Sequence, residues 1–164
     1  MISRTASSGT IRVDSTQTAY CPVDSTYTLS AYVKTTGMSG GGLGAQLVLM
    51  SSGNVIASSA PITTNTDWTR VEVTFTNTTG SDISSLTAGL RNGTSGTAYF
   101  DCVQLEESAN ASRYNLVDNG DFTYNSSFGW SKNGACTSGD GYRMTMFEAP
   151  MLDDSCLLYT SRCV

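Results

Sequence analysis

Along this chain the apolar residues recur at every second position over short stretches, and polar residues fill the places between. Tyr27, Leu29, Ala31 and Val33 alternate with Thr28, Ser30, Tyr32 and Lys34. Successive side chains of an extended strand point to opposite faces, so the first set predicts a core face and the second an outer face. The same beat returns at Ile11 and Val13, at Val71, Val73 and Phe75, and at Leu86, Ala88 and Leu90. Ala45-Gln-Leu-Val-Leu-Met50 is a further strand, and Ser51-Ser-Gly-Asn54 has the composition of a hairpin turn that lets Val55 to Ser59 pair back. Trp68, just ahead of Val71, is expected to close the edge of the core. No apolar 3.6-residue period is kept for three turns. Gly, Ser, Asn and Asp clusters separate the strand-like runs instead, which predicts an all-β antiparallel β-sandwich.

The second half holds a junction. Ala98 to Leu105 reads as a strand after the turn signal Asn92-Gly-Thr-Ser-Gly96, and Glu106 to Arg113 is a polar connector. Asn115-Leu-Val-Asp-Asn-Gly-Asp-Phe122 then reads as the opening of something new. Four pieces in order carry a resemblance: Thr26-Tyr-Thr-Leu-Ser-Ala-Tyr-Val-Lys34, Asn65-Thr-Asp-Trp-Thr-Arg-Val-Glu-Val-Thr-Phe75, Tyr99-Phe-Asp-Cys-Val-Gln-Leu105 and the Asn115–Phe122 opener. Together they resemble carbohydrate-binding modules of the cellulose- and xylan-binding type (families four and nine), found in tandem in secreted bacterial surface proteins. The resemblance implies a galactose-binding-like jelly roll. It also implies an opening strand ahead of Met1–Gly9, so the sandwich is expected to be truncated at its N-terminus.

The expected division is a carbohydrate-binding-like sandwich over residues 1–110, a linker at 111–114, and the start of a second similar module over 115–150. Residues 151–164 differ in character from the rest and read as foreign or frayed sequence. The 115–147 stretch is too short to bury a core that offsets its own ordering entropy. A missing strand leaves a sheet edge that accepts an extended segment, and a short connector keeps this one close by. The stretch is therefore expected to fold back and complete the first sandwich.

Charge narrows the partners. The net charge is −5, with nine Lys and Arg scattered along the chain. A polyanion of phosphates needs clustered cations, so nucleic acid is not an expected partner. The longest apolar run, Leu47-Val-Leu-Met50, is far below the ~20 residues of a membrane span, so no membrane partner is expected either. The expected partners are a poly- or oligosaccharide and neighbouring modules of the same chain, at an extracellular or cell-surface location.

The chain has no histidine. Nucleophile activation by His, histidine general bases and His-containing zinc sites all fall away with it. Glu106 and Glu107 are adjacent in the connector rather than opposed across a cleft, as a glycosidase pair must be. The expectation is a non-catalytic chain. Cys21, Cys102, Cys136, Cys156 and Cys163 show no metal-type spacing and are odd in number, so Cys21 and Cys102 are expected as free thiols on strands, with a Cys21–Cys102 bridge as the alternative.

Sugar recognition requires apolar faces for stacking and a few polar groups for hydroxyls. The outward side of the presumed concave sheet offers Tyr32, Gln46, Arg91 and Tyr99, with an ordinary solvated face as the alternative for each. No cofactor is expected beyond a structural Ca²⁺, for which the resemblance implies Asp101 as the closing-strand ligand. Against that ligand set, Thr123 and Cys102 stand where the family tends to carry carboxylates. The Asn-X-Ser/Thr sequons at Asn77, Asn92, Asn110 and Asn125 are at the level chance supplies in a Ser/Thr-rich chain.

Overall fold

A computed structural model describes residues 2–4, 10–39, 41–110, 115–117, 120 and 130–133. Among these, ten strands form: β1 (Ile2–Arg4), β2 (Ile11–Ser15), β3 (Ala19–Cys21), β4 (Thr26–Thr36), β5 (Ala45–Ser51), β6 (Asn54–Ser58), β7 (Thr66–Thr76), β8 (Ile83–Asn92), β9 (Gly96–Glu106) and β10 (Trp130–Asn133). One sheet has four strands in the order β1-β9-β4-β7. The other has six, in the order β10-β2-β8-β5-β6, with β3 also against β8. Every pairing is antiparallel. The protein is an all-β sandwich of two sheets, as the alternation predicts.

The period-2 sets do meet. Tyr27, Leu29, Ala31 and Val33 of β4 face Leu47 and Leu49 of β5 and Leu86, Ala88 and Leu90 of β8 in one buried cluster. Ile11 and Val13 join it from β2 and Ala98, Phe100, Val103 and Leu105 from β9. The β9 contribution shifts from even to odd positions because of a bulge. Ser30 pairs with Gln104 but Tyr32 with Asp101, and Cys102 takes φ +49° between them. An inserted residue re-phases the strand, so both halves of β9 present their apolar side chains to the core.

Trp68 is part-exposed and does not pack on the core cluster, contrary to the expectation for it. A register shift in β7 between Thr66 and Thr69 takes Asp67 and Trp68 out of the alternation. The tryptophan of the core is Trp130, 3 % exposed. It lies on β10, which adds a strand beside β2.

Segments beyond the connector also touch β9. Val103 N–H donates to Gly120 O and Leu116 N–H to Leu105 O, both at 2.7 Å. The Asn115 side chain brackets the same edge, accepting from Leu105 N and donating to Val103 O. Val117 enters the core cluster. The approach is so close that a Cβ at Gly120 would stand 2.0 Å from Val103 O. Ile2–Arg4 occupies the other end of that edge, opposite Gly96–Ala98.

The cysteines correct one expectation. Cys21 is a free, buried thiol as expected. Cys102 is not free but disulfide-bonded, and a Cys21–Cys102 bridge is excluded. Cys136, Cys156 and Cys163, the sequon at Asn125, Thr123 and the 151–164 tail lie outside the described residues.

Candidate functional site: the outer face of the six-stranded sheet

The four proposed sugar contacts divide between the two sheets. Tyr32 and Tyr99 alternate with core residues of β4 and β9, so they lie on the outer face of the four-stranded sheet. Gln46 and Arg91 alternate with core residues of β5 and β8 and lie on the outer face of the six-stranded sheet. The two pairs are separated by the whole sandwich and cannot touch one ligand unit.

The tyrosine face is largely engaged with itself. The Arg70 guanidinium sits over the Tyr32 ring, 5.5 Å from its centroid. From there it donates to Ser30 Oγ at 2.8 Å and Gln104 Oε1 at 3.1 Å. Such a cation–π contact takes up the ring face that a pyranose would stack on. Thr28, also on this face, is buried and donates to Ser108 O of the connector. Lys34 and Asp67 pair at 3.0 Å across the β4–β7 edge, which holds the Asp67 carboxyl below its ordinary range. Asp101 pairs with Tyr32 at the bulge and accepts from Cys102 N at 2.8 Å. Among the described residues no group of three His, Cys, Asp or Glu side chains converges on a metal position.

On the six-stranded sheet, by contrast, polar side chains form rows across adjacent strands. Arg12 of β2 stands opposite Arg91 of β8, and Arg91 opposite Gln46 of β5. Neighbouring strands are about 4.8 Å apart, so this row presents one polar group per strand at roughly the width of a pyranose. The next row is Asp14, Gly89 and Val48, and Met50 lies beyond it opposite Thr87. Arg12 forks onto Asp14, with Nε to Oδ1 at 2.7 Å and an Nη2 to Oδ2 bond at 3.1 Å. Arg91 donates from Nη2 to Gln46 Oε1 at 2.5 Å, and Gln46 Nε2 donates on to Ser59 O at 2.7 Å.

Two features of Arg91 stand apart. Its Nε is buried with no hydrogen-bond partner. Its pKa is lowered, first by burial and then by the neighbouring charge of Arg12. Gly89 gives the face its shape: a Cβ there would lie 2.8 Å from Val48 Cγ2 and 3.0 Å from both Asp14 Oδ1 and Met50 Cε. These side chains close over the bare backbone.

The sequence reading missed Arg12 and Asp14. The signal was present, since both alternate with Ile11 and Val13 and so had to point outward. No family model matches the chain, and no curated protein matches it. What is established is a two-sheet antiparallel sandwich.

Proposed function

We propose that this chain is a non-catalytic carbohydrate-binding module of the galactose-binding-like, jelly-roll type, serving an extracellular multi-module protein. In this reading a poly- or oligosaccharide lies across the outer face of the six-stranded sheet. The observation that carries it is the in-register row Arg12–Arg91–Gln46 with Asp14 beside it. Hydroxyl-rich ligands are held by fixed donors and acceptors at sugar spacing, and here a hydrogen-bonded chain ending on Ser59 O fixes the Gln46 amide. Tyr32 and Tyr99, on the other sheet, take no part in that site. The segment after the connector donates Val117 and Trp130 to the sandwich in this arrangement. In a tandem array it would begin the next module.

A glycan array probed with the full chain tests the reading. At least one plant or microbial polysaccharide should bind, and Gln46→Ala should weaken it about tenfold, the loss of roughly one hydrogen bond. Tyr32→Ala should leave affinity unchanged. A second reading, a structural spacer with no sugar site, is favoured by one observation. Val48, Met50, Gln46 and Asp14 are all less than a tenth exposed on the face where the ligand would lie. A chain that binds no glycan on the array is the spacer.

A further inference from the structure

The two flanks of the sandwich are closed differently. On one, β10 and Gly120 lie along β2 and β9, and Trp130 and Val117 seal the core. On the other, β6 and β7 end their sheets, and among the described residues each pairs on one side only. The core reaches the surface there: Ile56 of β6 and Val71 and Phe75 of β7 pack on it while staying partly exposed. An edge strand carries unpaired backbone groups that will pair with another strand, and proteins blunt it with short length, prolines or lysines. β6 is short, but β7 runs for 11 residues with no proline and no lysine, and more than half of its positions are exposed. Only the register shift between Thr66 and Thr69 interrupts it, which leaves residues 69–76 regular.

We infer that two copies of this chain join edge to edge through antiparallel pairing of β7 with β7, about a two-fold axis at Val71. The charges on the strand select both the partner and the register. Residues opposed across such an axis come from the same side of the sheet, so the axis falls on a residue. An axis at Arg70 opposes two guanidinium groups, and an axis at Glu72 opposes two carboxylates; like charges in that position destabilise a sheet. An axis at Val71 sets Arg70 against Glu72 of the second copy twice over, with Thr69 against Val73 on the inner side. Arg70 is already held beside this edge by the Tyr32 ring, Ser30 and Gln104. The Glu72 side chain is half-exposed and touches its own Arg70 only at 3.4 Å. Val71, partly exposed in one copy, is covered in the pair. The pairing spans residues 69–73 of each copy and stops where the register shift begins. A strip this short stands at the weak end of specific interfaces, so the dimer is reversible. It leaves the outer face of the six-stranded sheet unused.

Sedimentation equilibrium of the full chain over roughly 10 μM to 1 mM tests this. The expected result is a reversible rise from monomer to dimer mass, with no covalent dimer on a non-reducing gel. Glu72→Arg places like charges at both symmetry-related contacts and should weaken dimerisation about tenfold. Arg70→Glu should do the same. The double exchange Arg70→Glu/Glu72→Arg should restore the dimer, because the opposed pairs are re-made with their signs reversed. Thermal melts check that each variant is folded. Should a charge reversal unfold the chain, Glu72→Gln takes its place and should weaken association about threefold. A chain that stays monomeric over the whole range overturns the inference, whether the edge then takes an extended peptide or nothing. A dimer indifferent to substitution of Glu72, one that the double exchange fails to restore, or one held by a disulfide overturns it as well.

Discussion

Asn77 shows how much one polar side chain can hold. It is fully buried, and its Nδ2 lies within hydrogen-bonding distance of Cys21 O, Pro22 O and Ser81 O while Oδ1 accepts from Thr79. Asn77→Ala leaves buried carbonyls without donors and should cost roughly 2–3 kcal/mol in a urea melt. Asn92, a second sequon asparagine, is equally buried in the fold. Tyr27 gives a pH test. Burial, then the Glu107 charge, raise its pKa to about 12 from 10.0. The folded state keeps this proton where the unfolded chain loses it, so the contribution is whole below pH 10 and falls away as pH rises towards 12. The wild type should lose roughly 2–3 kcal/mol more than Tyr27→Phe over that window. At this scale the sequence was legible for Tyr27 and misleading for tryptophan. Trp68 abuts an alternating strand and Trp130 follows Phe128-Gly129 with no alternation around it, yet Trp130 is the one buried. Trp130→Ala should cost roughly 3–5 kcal/mol and Trp68→Ala no more than about 1 kcal/mol, in the same melts.

Elements were legible where the period of two was clean. β4 spans Thr26–Thr36 around the alternation that predicted it, and β2, β5, β7 and β8 fall where their apolar residues placed them. The bulge in β9 was not legible. Its cause is one inserted residue, and Phe100, Val103 and Leu105 look like a fading pattern until Gln104 and Asp101 are seen to pair with alternate residues of β4. The docking of Gly120 on β9 is a matter of backbone contact, which hydrophobic patterning does not report. It makes a sharp prediction. Gly120→Ala places a Cβ against Val103 O and should lift the segment from the β9 edge. The Val103 and Leu116 amides, bonded to Gly120 O and Leu105 O, should then exchange hydrogen much faster, while the Leu29 and Val33 amides in central β4 stay protected.

For the whole molecule, alternation tells which side chains point outward but not which sheet they point from. That is why Tyr32, Gln46, Arg91 and Tyr99 could be gathered onto one face from the sequence, and why the strand order separates them. The two outer faces differ in what they have left to offer. On the four-stranded sheet Arg70 covers Tyr32 and the connector covers Thr28. On the six-stranded sheet a row of donors and acceptors crosses β2, β8 and β5, led by the part-exposed Arg12 and Arg91. The central claim is that a glycan lies on that second face. Amide chemical-shift mapping during titration of the full chain with a bound oligosaccharide tests it most directly. The account predicts perturbations clustered on Arg12–Asp14, Gln46–Val48 and Gly89–Arg91. Perturbations confined to Tyr32, Arg70 and Tyr99, with β2, β5 and β8 unmoved, would contradict it.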